Sequence, residues 1–258
     1  MNAPRASERL RLSVVIPVRD DAVALRRCLE HLASQTVAPD ELIVVDNGSS
    51  DDSAAVALAA GARVVAESQR GIPAAAARGY DAATGDVIAR CDADTVLPVD
   101  WIERIRNAFD ADPELEGLTG PGRFHDLPSQ WSGIASAFYA LGTFVGGGAA
   151  MANVPLWGSN MALRRSAWLR VADRVERSDP GVHDDLDLAM QLGPRARLRF
   201  DSRLRVGAEG RFFHSRRAAR ERVSIAMRTF RRNWAADGSA GHRWVRRAGG
   251  PDLRRVRS

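Results

Sequence analysis

LSVVIPVRDDAVALRRCLEHLASQTVAPDELIVVD, residues Leu12 to Asp46, carries two short apolar runs separated by a helix-length segment. Leu12 to Pro17 is apolar and β-branched and stops at a proline, as a strand buried on both faces of a parallel sheet does. Leu25, Leu29 and Leu32 then recur at helical spacing behind the acidic start Asp20-Asp21, which predicts a helix. Glu41 to Asp46 (ELIVVD) reads as a second buried strand. Two such strands joined through one helix form a right-handed β-α-β unit.

The same alternation continues outward. Asn47-Gly48-Ser49-Ser50 is a turn, and Asp51 or Asp52 caps an Ala-rich helix running to Ala60. Ala62 to Ala66 is a third strand, Pro73 to Ala83 another helix, and Val87 to Cys91 (VIARC) a fourth strand. Repeated units with short connections predict an α/β fold built on a Rossmann-like, doubly wound, mostly parallel sheet. In such sheets ligands sit beyond the carboxyl ends of the strands. The residues expected there are Pro17-Val18-Arg19, Asp46-Asn47 and Asp92-Ala93-Asp94. No G-x-G-x-x-G follows the first strand and no G-x-x-x-x-G-K-[ST] occurs, so neither a dinucleotide fold nor a P-loop is supported.

Asp92-Ala93-Asp94 closes a strand, and carboxylates at i and i+2 of an extended chain project to one side. A carboxylate about 4 Å from a phosphate oxygen is repelled by about 4 kcal/mol at an effective dielectric of about 20. Bound phosphates would therefore need a cation. Mg²⁺ or Mn²⁺, held by one or two carboxylates and the phosphates themselves, reverses the sign. Acids after strands also serve simply as helix caps, and the motif alone leaves both readings open.

Taken in order, SVVIPVRDD, ELIVVDNGSSDDS, ARGYDAATGDVIARCDADT, WGSNMALRRSAW and HDDLDLAMQL resemble a family 2 glycosyltransferase of the GT-A fold over roughly residues 12 to 200. The resemblance implies a nucleotide-sugar donor, a divalent metal (Mg²⁺ or Mn²⁺), and inversion at the anomeric carbon by a single displacement. It places Pro17, Arg19, Asp46 and Arg78 around the nucleoside, and Asp92 and Asp94 on ribose and metal. Asp185 aligns with the catalytic base, and Asp184 stands where the family commonly has Glu. Gly158 and Asn160 match a loop beside the donor sugar, and His214 is the best-placed late histidine to complete a metal shell. His183 either orients the acceptor beside the base or is a plain helix N-terminal residue, Asp187 reads as structural, and Trp131 and Trp157 are either core or sugar-stacking residues.

Charge divides along the chain. No lysine occurs, and from Arg211 onward 14 arginines face three acids, a balance of +11, against −6 for the remainder. The basic end is either a solvated arginine-rich helix or a surface for phosphates or anionic lipid. A helix is predicted near Arg216 to Ala235 with Val223, Met227 and Phe230 as its apolar stripe, and Gly238 to Ser258 reads as a flexible tail. Leu127 to Leu163 contains no charge. Its glycines, prolines and scattered polar residues disfavour a continuous membrane-spanning helix, and Ile134 to Val145 is left as a helix for a lipid-like acceptor, a buried helix or a homodimer contact.

Composition bounds the rest. At 45% hydrophobic and 27% charged the chain is globular, which excludes disordered, collagenous and coiled-coil classes. Met1 to Leu10 is too polar for a secretory signal, so a cytoplasmic protein is expected, with peripheral contact at the inner membrane face an open extension. Cys28 and Cys91 read as two buried free thiols. The expected organisation is an extension over 1–11, a GT-A domain over 12–210 with a nucleotide half (12–121) and an acceptor half (122–210), and a basic helix and tail over 211–258. Expected partners are the nucleotide-sugar and a carbohydrate or lipid-linked acceptor, with no nucleic acid. Two rival readings remain: a binder of nucleic acid or anionic surfaces through the C-terminal arginines, and a sugar nucleotidyltransferase. The second would need a glycine-rich basic loop where Pro17-Val18-Arg19-Asp20-Asp21 stands.

Overall fold

The computed structural model describes residues 9 to 213 and 215 to 249. Its first half follows the predicted alternation: β1 Leu12–Val18, α1 Ala22–Ala33, β2 Glu41–Asp46, α2 Ser53–Ala59, β3 Arg63–Ala66, α3 Ile72–Ala82, β4 Val87–Arg90 and α4 Trp101–Ala111. Then come β5 Gly117–Thr119, β6 Gly122–Phe124, α5 Ser129–Ala140, a π-helical stretch Leu141–Gly146 and α6 Gly147–Met151. The rest is β7 Met161–Arg164, α7 Arg165–Val171, α8 Asp184–Leu192, β8 Leu198–Phe200, β9 Val206–Ala208, a 3₁₀ turn at Arg211–Phe213, α9 Arg216–Asp237 and α10 Ala240–Arg247.

Seven strands form one sheet in the order β3-β2-β1-β4-β7-β5-β8, and β6 pairs with β9 beside it. The four leading strands are parallel; β7 runs antiparallel to both β4 and β5. Chain order reverses between β1 and β4, so a crevice opens at their carboxyl ends. Alternation along β1 supplies both cores. Val14 and Ile16 face α1 and α4 through Leu25, Leu29, Ile102 and Phe109, while Val15 faces α3 through Ala75, Ala76 and Tyr80.

Helix α3 lies close on the sheet because Gly79 has no side chain. A Cβ there would overlap Val15 and stand 2.9 Å from Val45 Cγ2. Gly79→Ala is therefore expected to lower stability by about 1–3 kcal/mol through overpacking. Urea unfolding measures this, and an unchanged midpoint would mean that α3 can lift without penalty.

Asp52 is the N-cap of α2 without a side-chain bond, and the Asp51 carboxylate accepts from the Ser53 N–H at 3.0 Å and from the Ala22 N–H at 2.8 Å, tying the starts of α1 and α2 together. Cys28 and Cys91 are buried free thiols, their sulfurs 3.8 Å apart. The first residues are not a loose extension throughout, since Arg9 pairs with Asp40 at 3.1 Å and the Leu10 carbonyl accepts from Arg106.

Two expectations about the second half are corrected. The uncharged stretch is neither broken by its glycines nor buried: Ser129–Met151 is one continuous helical run of 23 residues, apolar and long enough to cross a membrane by length and composition. Trp131, Ile134, Phe138, Leu141 and Val145 are each about three-fifths exposed along it. Its other side carries Ser132, Tyr139, Phe144 and Met151 into the domain, so it forms a wall of the molecule.

The residues after Gly238 are not all tail. Helix α10 docks through fully buried Arg243, which donates to the carbonyls of Met151 (2.9 Å) and Met190 (3.0 Å) and pairs with Asp237 at 2.5 Å. A buried arginine holding three acceptors is a packing element, and part of the +11 balance is absorbed this way. Arg232 on α9 likewise pairs with Glu176.

Candidate active site

A cavity of about 350 Å³ occupies the crevice between β1 and β4. Pro17 and Val18 line it from β1, Arg19 and Asp21 from the connection to α1, Asn47 from just after β2, Gly71, Ile72 and Ala75 from the start of α3, and Asp92 and Asp94 from the turn after β4. Phe124, Tyr139, Trp157, Ser159, Glu209, Phe212 and Arg222 close the far side.

Four of the sequence-predicted donor residues, Pro17, Arg19, Asp92 and Asp94, thus meet on one wall. The other four, Asp46, Arg78, Gly158 and Asn160, are not among the lining residues. Asp46 accepts from the Ser49 N–H at 2.9 Å and shapes the turn after β2. Its neighbour Asn47 is on the wall instead, donating to the carbonyls of Glu67 (3.0 Å) and Gln69 (2.7 Å) and accepting from the Gly71 N–H (2.8 Å). Arg78 is exposed on α3 and is not among the lining residues. Asn160 is fully buried behind the cavity, accepting from Trp101 Nε1 at 2.8 Å and donating to the Leu204 carbonyl at 2.6 Å, which makes it a framework residue.

The Asp92-Ala93-Asp94 segment is a turn, not an extended strand end. Thr95 N–H donates to the Asp92 carbonyl at 3.1 Å, and Thr95 Oγ1 accepts from the Asp92 N–H at 3.1 Å. The two residues therefore reach the same cavity through a turn rather than through strand pleat. Asp92 is held by the Ser159 hydroxyl at 2.5 Å and by Arg90 at 3.2 Å.

Arg90 sits at the centre of the acids. Only 3% of its side chain is exposed, and it contacts Asp92, Asp184 and the Tyr80 hydroxyl. Burial works against its charge, but Asp184, Tyr80, Asp92 and Asp185 together hold its pKa above the ordinary value. Asp184 is pushed up to about 6, first by burial and then by the carboxylates of Asp185 and Asp92, against the pull of Arg90. Gly158 fits because a Cβ there would press on the Arg90 guanidinium at 2.7 Å.

Asp185 faces elsewhere. Its carboxylate accepts from the Gly158 N–H at 2.8 Å and from the Leu186 N–H at 2.7 Å, and it lines a second cavity of about 440 Å³ between the 129–151 helical run and α9. Tyr139, Trp157, Phe212 and Arg222 line both cavities, so the two adjoin. Burial, then Asp185, pushes the Tyr139 phenol up.

His183 stands at the N-cap of α8, its backbone N–H donating to Thr229 Oγ1 at 2.9 Å. Asp187, fully buried, accepts from Asn233 and from the Glu176 N–H, both at 2.7 Å. Both residues tie α8 to its surroundings, and His183 also lines the second cavity beside Asp185, which keeps open an orienting role toward the acceptor as well as a plain helix-start role. His214 lies outside the described residues. Among the described residues no group of three His, Cys, Asp or Glu forms a metal cluster.

The crevice, its acidic turn and the sheet order define a GT-A-type α/β protein. A match to the family model described as glycosyl transferase family 2, over residues 13–169, shows that the chain belongs to that family. It is 30% identical over 146 residues to a glucosyl-3-phosphoglycerate synthase of Mycobacterium tuberculosis, covering 51% of this chain and 43% of that protein. It is 32% identical over 123 residues to an undecaprenyl-phosphate 4-deoxy-4-formamido-L-arabinose transferase of Sodalis glossinidius, covering 44% and 38%. The chain thus spans less than half the length of these curated relatives.

Among solved structures, a mannosyltransferase of Pyrobaculum calidifontis in complex with GDP-Man and Mn²⁺ superposes with a TM-score of 0.68 at 21% identity, over 89% of this chain and 66% of that one. The M. tuberculosis synthase in complex with Mn²⁺, UDP-Glc and phosphoglyceric acid superposes at 0.61 and 19% identity, over 94% and 81%. These likenesses establish the shared fold.

Proposed function

We propose that the chain transfers a sugar, with inversion, from a nucleotide-sugar in the β1/β4 crevice to an acceptor in the adjoining cavity. The observation that carries this reading is the arrangement of carboxylates: Asp92 and Asp94 on the crevice wall, and Asp185 in the neighbouring cavity, which shares four lining residues with the crevice. An inverting displacement needs charge neutralisation on the leaving side and a base on the attacking side. This separation supplies both.

A divalent ion fits the acidic turn, because two carboxylates on one wall suit a cation that takes its remaining oxygens from phosphates and water. Asp94 and Asp92 would hold it, and when bound it supplies Lewis-acid stabilisation of the departing nucleoside diphosphate. Pro17, Arg19 and Asn47 frame the nucleoside end, and Arg222 adds a cation near the junction. Asp185 accepts the acceptor's proton. The structural neighbours in complex with GDP-Man or UDP-Glc and Mn²⁺ support a donor and ion of this class.

Asp94→Asn is expected to weaken Mn²⁺-dependent nucleotide binding by about tenfold or more, since one of two ion-facing carboxylates is lost. Calorimetry with UDP and GDP, with and without Mn²⁺, measures it. Unchanged ion-dependent affinity would remove the acidic turn from the reading. Arg216, Arg217 and Arg220 are exposed at the start of α9, and peripheral contact with anionic lipid belongs to the same reading. Salt-sensitive sedimentation with anionic but not neutral vesicles supports it; equal partitioning to both overturns it.

A further inference from the structure

The second cavity is lined mostly by apolar side chains, which the transfer reading alone does not require. Phe138, Leu156, Ala226, Met227 and Phe230 are among these; Asp185 lines it too, and Tyr139 and Arg222 stand where it adjoins the crevice. Wall groups that carry polar atoms have them satisfied elsewhere: Trp234 Nε1 donates to the Ala150 carbonyl at 3.0 Å, and His183 Nε2 is 3.2 Å from the Arg222 carbonyl. A saccharide filling the part lined by Phe138, Leu156, Ala226, Met227 and Phe230 would bury hydroxyls against side chains that cannot bond them, which is unfavourable. Apolar cavities of this kind do not hold water well either.

The volume suits an apolar body. Taking about 30 Å³ per water-sized unit, the cavity accommodates on the order of a dozen methylene-sized groups. Its rim continues outward, because Phe138 is at once a wall residue and 64% exposed on the apolar stripe of the 129–151 helical run. A chain longer than the cavity therefore leaves it along an apolar surface.

We infer that the acceptor is an amphiphilic alcohol whose hydrocarbon part fills this cavity and whose hydroxyl is presented to Asp185. The inference rests on the sugar-transfer reading and specifies its acceptor. In the step, the hydroxyl oxygen forms a bond to the anomeric carbon as the bond from that carbon to the diphosphate breaks. The diphosphate leaves with the electron pair, and the hydroxyl proton passes to the Asp185 carboxylate.

Titration of the full chain with farnesol, and separately with maltotriose, tests the inference by calorimetry. Saturable farnesol binding and no maltotriose binding are expected. Gly146→Leu and Ala226→Phe, which fill the cavity from opposite walls, are each expected to weaken farnesol binding by about tenfold or more. A Cβ at Gly146 meets nothing within 4 Å, so the first change is sterically tolerated. Maltotriose binding without farnesol binding overturns the inference, as does farnesol affinity that neither folded variant alters. Farnesol affinity that falls as protein concentration rises also overturns it, because a second copy of the chain would then be the occupant. If the variants do not fold, the wild-type comparison decides. Nucleotide binding with Mn²⁺ on the same preparation separates the two readings: intact nucleotide binding without farnesol binding leaves sugar transfer standing, and loss of nucleotide binding removes both.

Discussion

Asp185→Asn is expected to reduce sugar transfer by a factor on the order of 10²–10⁴ while leaving Mn²⁺-dependent nucleotide binding intact. A hydroxyl is a poor nucleophile at neutral pH, and a carboxylate within reach of its proton is what the amide lacks. The N–H groups of Gly158 and Leu186 hold the Asp185 carboxylate at the start of α8, where the helix dipole favours negative charge. The same carboxylate lines the acceptor-side cavity, and it is not among the residues lining the crevice. Binding and chemistry should therefore separate at one residue. Single-turnover transfer and calorimetry on the same variant check this.

Asp184→Asn provides the control for register. Asp184 is paired with Arg90 and lines neither cavity, so its substitution should act through stability and positioning. If Asp184→Asn is dead and Asp185→Asn nearly normal, the base is Asp184. Full transfer by both variants would reduce the start of α8 to a structural element.

Much of the sheet was legible because its strands are buried on both faces, which leaves uninterrupted apolar runs such as Leu12 to Pro17 and Glu41 to Asp46. A strand entered after the turn at Gly158 was expected and is β7, but its antiparallel direction was not legible, because it is set by pairing with β4 and β5, which no local pattern encodes. Helix α10 escaped because arginine reads as surface until its acceptors are known. Those acceptors, Met151 and Met190, lie far away in sequence.

The site shows the same division. Asp92 and Asp94 follow the apolar strand VIARC and stand out there as acids, whereas Asp185, inside HDDLD, was reached only through the family resemblance. Tyr139 and Arg222 arrive from two helices of the second half, and their meeting at the junction is a property of packing alone. Asn160 was misplaced because a turn after Gly158 looks accessible in sequence, whereas Trp101 and Leu204 enclose it. Arg90 did carry a signal: a single charge inside VIARC, a strand buried throughout, has to be matched by acids nearby.

That signal leads to the second large effect. Arg90→Met should destabilise the fold by about 3–5 kcal/mol, because it removes one partner of a buried pair and leaves the others uncompensated. Arg90 Nε is already buried without a hydrogen-bond partner among the described residues, so the guanidinium is retained for charge and for its fork toward Asp92 and Asp184. The pH dependence gives the test its sign. Asp184 has a folded-state pKa raised from 3.8 to about 6, so its protonated form is favoured by folding. Its contribution is most favourable below the unfolded value and is lost as pH rises through the folded one. Once protonated, Asp184 no longer needs Arg90. The loss caused by Arg90→Met should thus be smaller near about pH 5 than near about pH 8, and Arg90→Lys, which keeps the charge without the fork, should fall between wild type and Arg90→Met. Urea unfolding of the three proteins at both pH values measures the difference. An equal loss at both would mean that Arg90 acts by filling space and not by balancing the acids around it.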